Sequence, residues 1–220
     1  MLFRSMARQI VPCITVETED EYKAMVERLA PFATRVHIDI MDGEFAPTKS
    51  IPVDKIWWPQ EWTVDIHAMV ARPSEYVDAL IQMRPTTVIF HVEVEEDLAP
   101  TIQKLKAVGI RAGVGLLKPT VPNTVTEYIE TADHVLVFCG NLGYYGGKAS
   151  LMQLEKVRLI RNIHPEVEVG WDGGANLDNA FSLAQGGIDV INCGGAIAQA
   201  ADAADAYQRL VVEINKESVI

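Results

Sequence analysis

Two short segments of the 220-residue chain carry imidazole and carboxylate side chains at alternate positions. In Val36-His37-Ile38-Asp39-Ile40-Met41-Asp42-Gly43 the period of a strand puts His37, Asp39 and Met41 on one face, with Ile38 and Ile40 on the other. In Asp65-Ile66-His67-Ala68-Met69-Val70 the shared face holds Asp65, His67 and Met69. A further acid, Asp172, closes an apolar run and is followed at once by Gly173 and Gly174. If these strand ends meet at one mouth, His37, Asp39, His67 and Asp172 make a first shell for one divalent ion such as zinc, iron or manganese. No local ligand spacing demands the ion, because the partners lie far apart in sequence. A satisfied His–Asp pair plugging a barrel is the competing reading of the first segment. His91, in Phe90-His91-Val92-Glu93, is open between substrate contact and packing. Met41 and Met69 could flank a reacting carbon or fill core gaps. His134 and His164 are expected at the solvated surface.

Glycines form a second constellation. Gly140, Gly143, Gly146 and Gly147 follow the sixth apolar run, Gly173 and Gly174 the seventh, and Gly194 and Gly195 the eighth. Such loops can turn backbone N–H groups toward an anion, and a final helix expected just after Gly195 would add its dipole. Tight turns alone are the simpler use of any one cluster. Three at neighbouring positions suit a phosphate better.

The elements that must position these groups repeat to the end of the chain as an apolar run, a turn and an amphipathic stretch. Strands are expected at 9–15, 35–41, 63–70, 87–92, 111–116, 134–139, 166–172 and 188–193. Thr18 and Glu21 form a capping box, and Tyr22, Met25, Val26 and Leu29 follow on one helical face. Leu98, Ile102 and Leu105 line another helix, with Gly109 closing it. Leu177, Ala180, Phe181 and Ala184 line a third, with Asn176 as N-cap and Gly186 at its end, and Tyr207, Leu210, Val211 and Ile214 line the last. Weaker helices are expected at 51–58 and 124–130. Eight strands alternating with helices imply an α/β parallel sheet over one domain, residues 1–220. A doubly wound sheet would bind ligand at a Gly-rich turn after the first strand, yet Val16-Glu17-Thr18-Glu19-Asp20 has no glycine. Late glycine clusters fit a (β/α)8 TIM barrel with a phosphate site in its last loops.

A net charge of −11 argues against a nucleic-acid partner, which needs clustered Lys and Arg, and mildly repels anionic membranes and anionic substrates. The three scattered cysteines (Cys13, Cys139, Cys193) have no CxxC spacing, so neither a disulfide framework nor a zinc knuckle is indicated. The start, Met1-Leu2-Phe3-Arg4-Ser5, lacks a signal-peptide core, and no run approaches the roughly 18 apolar residues of a membrane span. A cytoplasmic, reduced protein is expected. Trp57, Trp58 and Trp62 either seal the helix layer or mark a subunit contact.

Over almost its whole length the chain resembles the ribulose-phosphate 3-epimerase family. The matching residues are His37 through Phe45, Asp65 through Val70, Phe90-His91-Val92-Glu93, Asn141 with Gly143 and Gly146, and Asp172-Gly173-Gly174. The resemblance implies a (β/α)8 barrel, usually homo-oligomeric, that acts in the pentose phosphate pathway on a small phosphorylated sugar. It implies that His37, Asp39, His67 and Asp172 hold a divalent metal, that Asp39 and Asp172 are the acid–base pair inverting C3 of D-ribulose 5-phosphate through an enediolate, and that Cys13, Met41, Met69, His91, Asn141 and the late glycines surround the substrate. The alternatives are a 3-epimerase of a six-carbon ketose phosphate, or a sugar-phosphate-binding barrel without turnover. The Asp-x-Lys-x-x-Asp pattern of related decarboxylases and hexulose-phosphate synthases is absent from Asp65-Ile66-His67-Ala68-Met69-Val70. Several substrate-facing positions depart from the family. Cys13 replaces its usual Ser, Phe45-Ala46-Pro47-Thr48 its Phe-Val-Pro-Asn, and Gly194-Gly195 its Gly-Ser. Its Met-Thr-Val-Asn-Pro-Gly-Phe-Gly-Gly-Gln stands here as Phe138-Cys139-Gly140-Asn141-Leu142-Gly143-Tyr144-Tyr145-Gly146-Gly147.

Overall fold

A computed structural model describes residues 8–217, so the first five residues, read above for a leader, lie outside it. Eight strands pair in parallel and in sequence order, and the first closes on the last: β1 (Gln9–Ile14), β2 (Arg35–Met41), β3 (Thr63–Met69), β4 (Thr87–His91), β5 (Arg111–Leu116), β6 (His134–Phe138), β7 (Glu168–Asp172) and β8 (Val190–Cys193). The expected (β/α)8 barrel is therefore the observed fold. Register decides what meets at the mouth. β2 and β3 pair so that Asp39 lies beside His67, while Phe138 pairs with Asp172 and Asp172 with Asn192.

Helices α1 (Glu19–Leu29), α2 (Pro73–Met83), α3 (Ala99–Ala107), α4 (Thr126–Thr131), α5 (Glu155–Ile163), α6 (Ala180–Gln185), α7 (Gly195–Ala198) and α8 (Ala203–Ile214) surround the barrel. The capping box forms as expected: Glu21 N–H donates to the Thr18 hydroxyl at 3.3 Å and Thr18 N–H to Glu21 Oε2 at 3.2 Å. Gly109 follows α3 at φ +81°, the left-handed turn that ends it. Ile38, Ile40, Ile66, Val88 and Val114 face this layer and join one apolar core.

Four expectations are corrected. Helix α6 begins at Ala180 rather than beside Asn176, because Asn176 is consumed by a turn in which its oxygen accepts from Asp178 N–H and its own N–H donates to Asn179. The 51–58 stretch makes only a single 3-10 turn, Val53–Lys55, between Pro52 and Pro59. The helix expected after Gly195 is two: the one-turn α7, then α8 capped by Asp202. His134 is not at the surface but 1% exposed. Its Nδ1 lies 2.8 Å from Glu168 in a charged layer at the N-terminal end of the barrel. There Arg35 bonds Asp65 at 2.7 Å and Glu168 through two contacts of 3.0 and 2.9 Å, and Arg111 lies 3.1 Å from Glu168. A Cβ on Gly170 would come within 2.5 Å of the His134 ring, so this layer needs glycine there. Helices α2 and α5 went unread, since each buries only a narrow stripe: Pro73, Val77 and Leu80, and Val157 and Ile160 with the Lys156 stem. His164 is half-buried, its Nδ1 3.2 Å from the Ile129 carbonyl. Trp62 is buried in the core, and Trp57 is half-exposed, edge-on to Tyr22 at 6.3 Å. Among the described residues no helix is long and apolar enough to cross a membrane.

Candidate active site at the barrel mouth

The ends of β2, β3 and β7 bring His37, Asp39, His67 and Asp172 together, with one ligand atom from each lying within 4.8 Å of the others. His67 Nδ1 is 2.9 Å from Asp39 Oδ1 and 3.5 Å from Asp172 Oδ2, and His37 Nε2 is 3.3 and 3.6 Å from the same oxygens. The fit to a cation can be tested on these atoms. His37 Nε2 is buried without a hydrogen-bond partner although it faces two carboxylates. An orphaned ring nitrogen, a second ring nitrogen and two acid oxygens, all within reach of one point, form a donor set suited to a divalent ion.

The two acids are driven apart. Burial alone would raise Asp39, but the imidazoles of His37 and His67 beside it outweigh it and hold that carboxyl well below the usual range. Asp172 is pushed upward, first by burial and then by the Asp39 charge. A low and a raised carboxyl facing each other are the pattern of an acid–base pair. Thr15 donates its hydroxyl to Asp39 Oδ2 at 2.5 Å, leaving Oδ1 to the imidazoles.

Thr15, Asp39 and Asp172 line a cavity of about 300 Å³, whereas His37 and His67 are fully buried and are not among its lining residues. Cys13, Met69, Asn141 and the glycines 143, 146, 147, 173, 174, 194 and 195 line it too, so the late clusters converge as expected. No Lys or Arg is among the lining residues. Gly173, at φ +110°, lies so close that a Cβ there would sit 1.9 Å from Gly140 N. Met41 is beside the cavity rather than in it, its Sδ accepting from the Thr48 hydroxyl, which lies 2.9 Å from the Gly143 carbonyl. His91 does not reach the cavity. It is fully buried behind His67, with 2.9 Å between their Nε2 atoms, and burial pushes it down to about 4. Burial, then the Asp172 and Asp39 charges, keep Cys13 a neutral thiol rather than a nucleophile.

Several lining residues escaped the sequence reading. Thr15 lies two residues beyond Cys13, just past the end of β1, a spacing that could have flagged it. Asn192, a polar residue inside the apolar Val-Ile-Asn-Cys of β8, lies 3.1 Å from His37 Nδ1. Tyr145 stands where the resembled family has glycine, and its hydroxyl accepts from Thr15 N–H at 2.8 Å. Asn176 and Gln199 carried no signal.

Fold and site together define a (β/α)8 barrel whose mouth carries two carboxyls beside glycine-rich loops. The sequence model described as the Ribulose-phosphate 3 epimerase family matches residues 9–198, and the chain belongs to that family of sugar-phosphate epimerases. The "Ribulose-phosphate 3-epimerase, cytoplasmic isoform" of Oryza sativa subsp. japonica is 31% identical over 212 residues, covering 93% of each chain. The Helicobacter pylori (strain J99) ribulose-phosphate 3-epimerase is 30% identical over 174 residues, 76% of this chain and 80% of that one. Among solved structures, 3-hexulose-6-phosphate synthase from Salmonella typhimurium superposes with a TM-score of 0.72 at 18% identity, over 94% of this chain and 98% of the other. That likeness concerns the fold.

Proposed function

We propose that this enzyme inverts C3 of a ketose phosphate, interconverting D-ribulose 5-phosphate and D-xylulose 5-phosphate, with Asp39 and Asp172 as the acid–base pair. The observation that carries the reading is the convergence of two carboxyls from β2 and β7, one lowered and one raised, on a cavity that the late glycine loops also border. A proton alpha to a ketone is weakly acidic, so its removal needs a placed base and stabilisation of the enediolate. Inversion needs proton removal on one face and return on the other, which two opposed carboxyls can do. His37, Asp39, His67 and Asp172 would hold one divalent ion (Zn2+, Fe2+ or Mn2+), which supplies Lewis-acid stabilisation of charge developing on the sugar oxygens. Backbone N–H groups around Gly146, Gly147, Gly173, Gly174, Gly194 and Gly195 would receive the phosphate, with Asn141 and Met69 beside the sugar. The same reading places a homo-oligomer in the reducing cytoplasm, in keeping with three buried, unpaired thiols.

The test is proton NMR of metal-replete protein with D-ribulose 5-phosphate in deuterated water, beside Asp172→Asn. The expected result is D-xylulose 5-phosphate deuterated at C3, lost in the variant. Exchange at C3 only with a six-carbon ketose phosphate would move the assignment to that sugar. Exchange with neither would overturn the epimerase reading and leave a sugar-phosphate-binding barrel.

A further inference from the structure

Behind the four clustered side chains runs a line of hydrogen bonds that the reaction does not touch. His67 Nε2 is 2.9 Å from His91 Nε2, and His91 Nδ1 is 3.2 Å from Glu93 Oε2. The other Glu93 oxygen is already engaged: Oε1 accepts from Leu117 N–H at 2.8 Å and from the Thr120 hydroxyl. Both imidazoles are fully buried, and a Cβ on Gly115 would stand 3.1 Å from the His91 ring, so that ring packs directly over bare backbone.

We propose that Glu93 is a positioning residue that fixes, through His91, which nitrogen of His67 carries a proton and so keeps its Nδ1 open to the metal. A carboxylate can only accept, so the His91 nitrogen facing Glu93 carries hydrogen. Burial favours a neutral His91 ring, which leaves Nε2 with a lone pair. Two ring nitrogens at 2.9 Å need one proton between them, and His67 Nε2 has to supply it. The proton on His67 is thereby committed to the side away from the carboxylates. Nδ1, facing Asp39 and Asp172, is left to take a cation in place of any proton it carries. Partners of this kind behind metal-bound imidazoles orient the ring and raise affinity. The proposal rests on the metal reading above, and its test separates the two.

Glu93→Gln is the informative change because it reverses polarity without changing shape. With its oxygen retained by Leu117 N–H and Thr120, the new amide nitrogen would face His91 Nδ1 and donate to it. His91 would then carry its proton on Nε2 and donate to His67, whose proton would be driven onto Nδ1. Glu93→Ala removes the acceptor without reversing anything. Two measurements are made on wild type, Glu93→Gln and Glu93→Ala: nitrogen-15 NMR of the His67 ring in metal-free protein, and Zn2+ binding by competition with a chromophoric chelator. The expected result is a protonated His67 Nε2 in wild type and an unprotonated one in Glu93→Gln. Zn2+ affinity should fall about 10- to 100-fold in Glu93→Gln, and less in Glu93→Ala. A merely structural Glu93 would give the opposite order, since glutamine preserves packing and alanine does not. An unchanged His67 Nε2 in Glu93→Gln, or alanine weakening Zn2+ more than glutamine, would overturn the proposal. If wild type itself takes up no Zn2+, the metal reading fails, and the ring nitrogens of the metal-free proteins still decide whether Glu93 sets the tautomer.

Discussion

Replacing Thr15 by valine keeps the side-chain shape and removes one hydroxyl, the donor that reaches Asp39 Oδ2 at 2.5 Å. Asp39 is only 8% exposed, so water has little access to the oxygen left behind. A hydrogen bond to a charged group contributes about 1.5–3 kcal/mol, and its loss beside a buried acceptor falls on the upper part of that range. Without the hydroxyl the carboxylate is held on one side only, by the imidazoles at Oδ1, and can rotate out of line with the reacting carbon. At about 1.4 kcal/mol per tenfold, kcat should fall between about 40- and 150-fold. KM should change little, because Thr15 holds the carboxylate rather than the phosphate. Steady-state turnover of D-ribulose 5-phosphate through a coupled assay reads both constants, and Thr15→Ser, which keeps the hydroxyl, should recover most of the rate. If valine turns over like wild type, or serine is as impaired as valine, the hydroxyl does not position Asp39 and the reasoning is wrong.

Adding Zn2+ or Mn2+ to metal-free protein at 100 times its Kd should stabilise it by about 2.7 kcal/mol, read as a rise of about 5–11 °C in melting temperature; Asp39→Asn should abolish the rise. Gly173→Ala should cost about 2–6 kcal/mol by chemical denaturation, since it combines a positive φ with a clash against Gly140 backbone. Gly109→Ala has the same sign of φ but open space, and should cost only about 1–2 kcal/mol. Burial alone would raise the Glu168 carboxyl, but hydrogen bonds from His134 and Arg35 hold it far below its ordinary value. A lowered folded value contributes stability that is fully present above the unfolded value of about 4.3 and is lost as pH falls toward the folded one. Urea stability should therefore decline below about pH 5, and Glu168→Gln, less stable at neutral pH, should lose much of that slope.

Period-2 alternation and late glycines were enough to recover the barrel and to bring the four clustered residues to one mouth, because both signals are local and the eight strands repeat them. What was illegible depends on contacts between strands. His134 reads as a surface histidine until β7 supplies Glu168 and the bare Gly170 opens space for its ring. Thr15 is unremarkable until register sets β1 against β2, and the Glu93–His91–His67 line needs β3, β4 and the Leu117 loop at once. Asn176 follows the helix-start rule in type, yet its own turn captures the groups that would have capped α6.

Asp65 on β3 pairs with His37, two residues before Asp39 on the neighbouring β2, and nothing in the types of the two acids distinguishes them. Partner supply does. Arg35 and Arg111 enter the N-terminal layer from β2 and β5 and meet Asp65 and Glu168 within 3.1 Å, so that end of the barrel is a closed ion network. At the other end Asp39 and Asp172 face imidazoles and glycine loops, and no Lys or Arg lines their cavity. Asp172, pushed upward by burial and by the Asp39 charge with no Lys or Arg beside it, opposes folding as a carboxylate, a cost that a fold bears where charge is needed for chemistry. If Asp39 and Asp172 are the proposed acid–base pair, an arginine at the mouth would neutralise the acids and remove the base in the same step. The protein therefore confines these fixed cations to the N-terminal layer, which on the proposed reading leaves the acids at the mouth able to exchange protons.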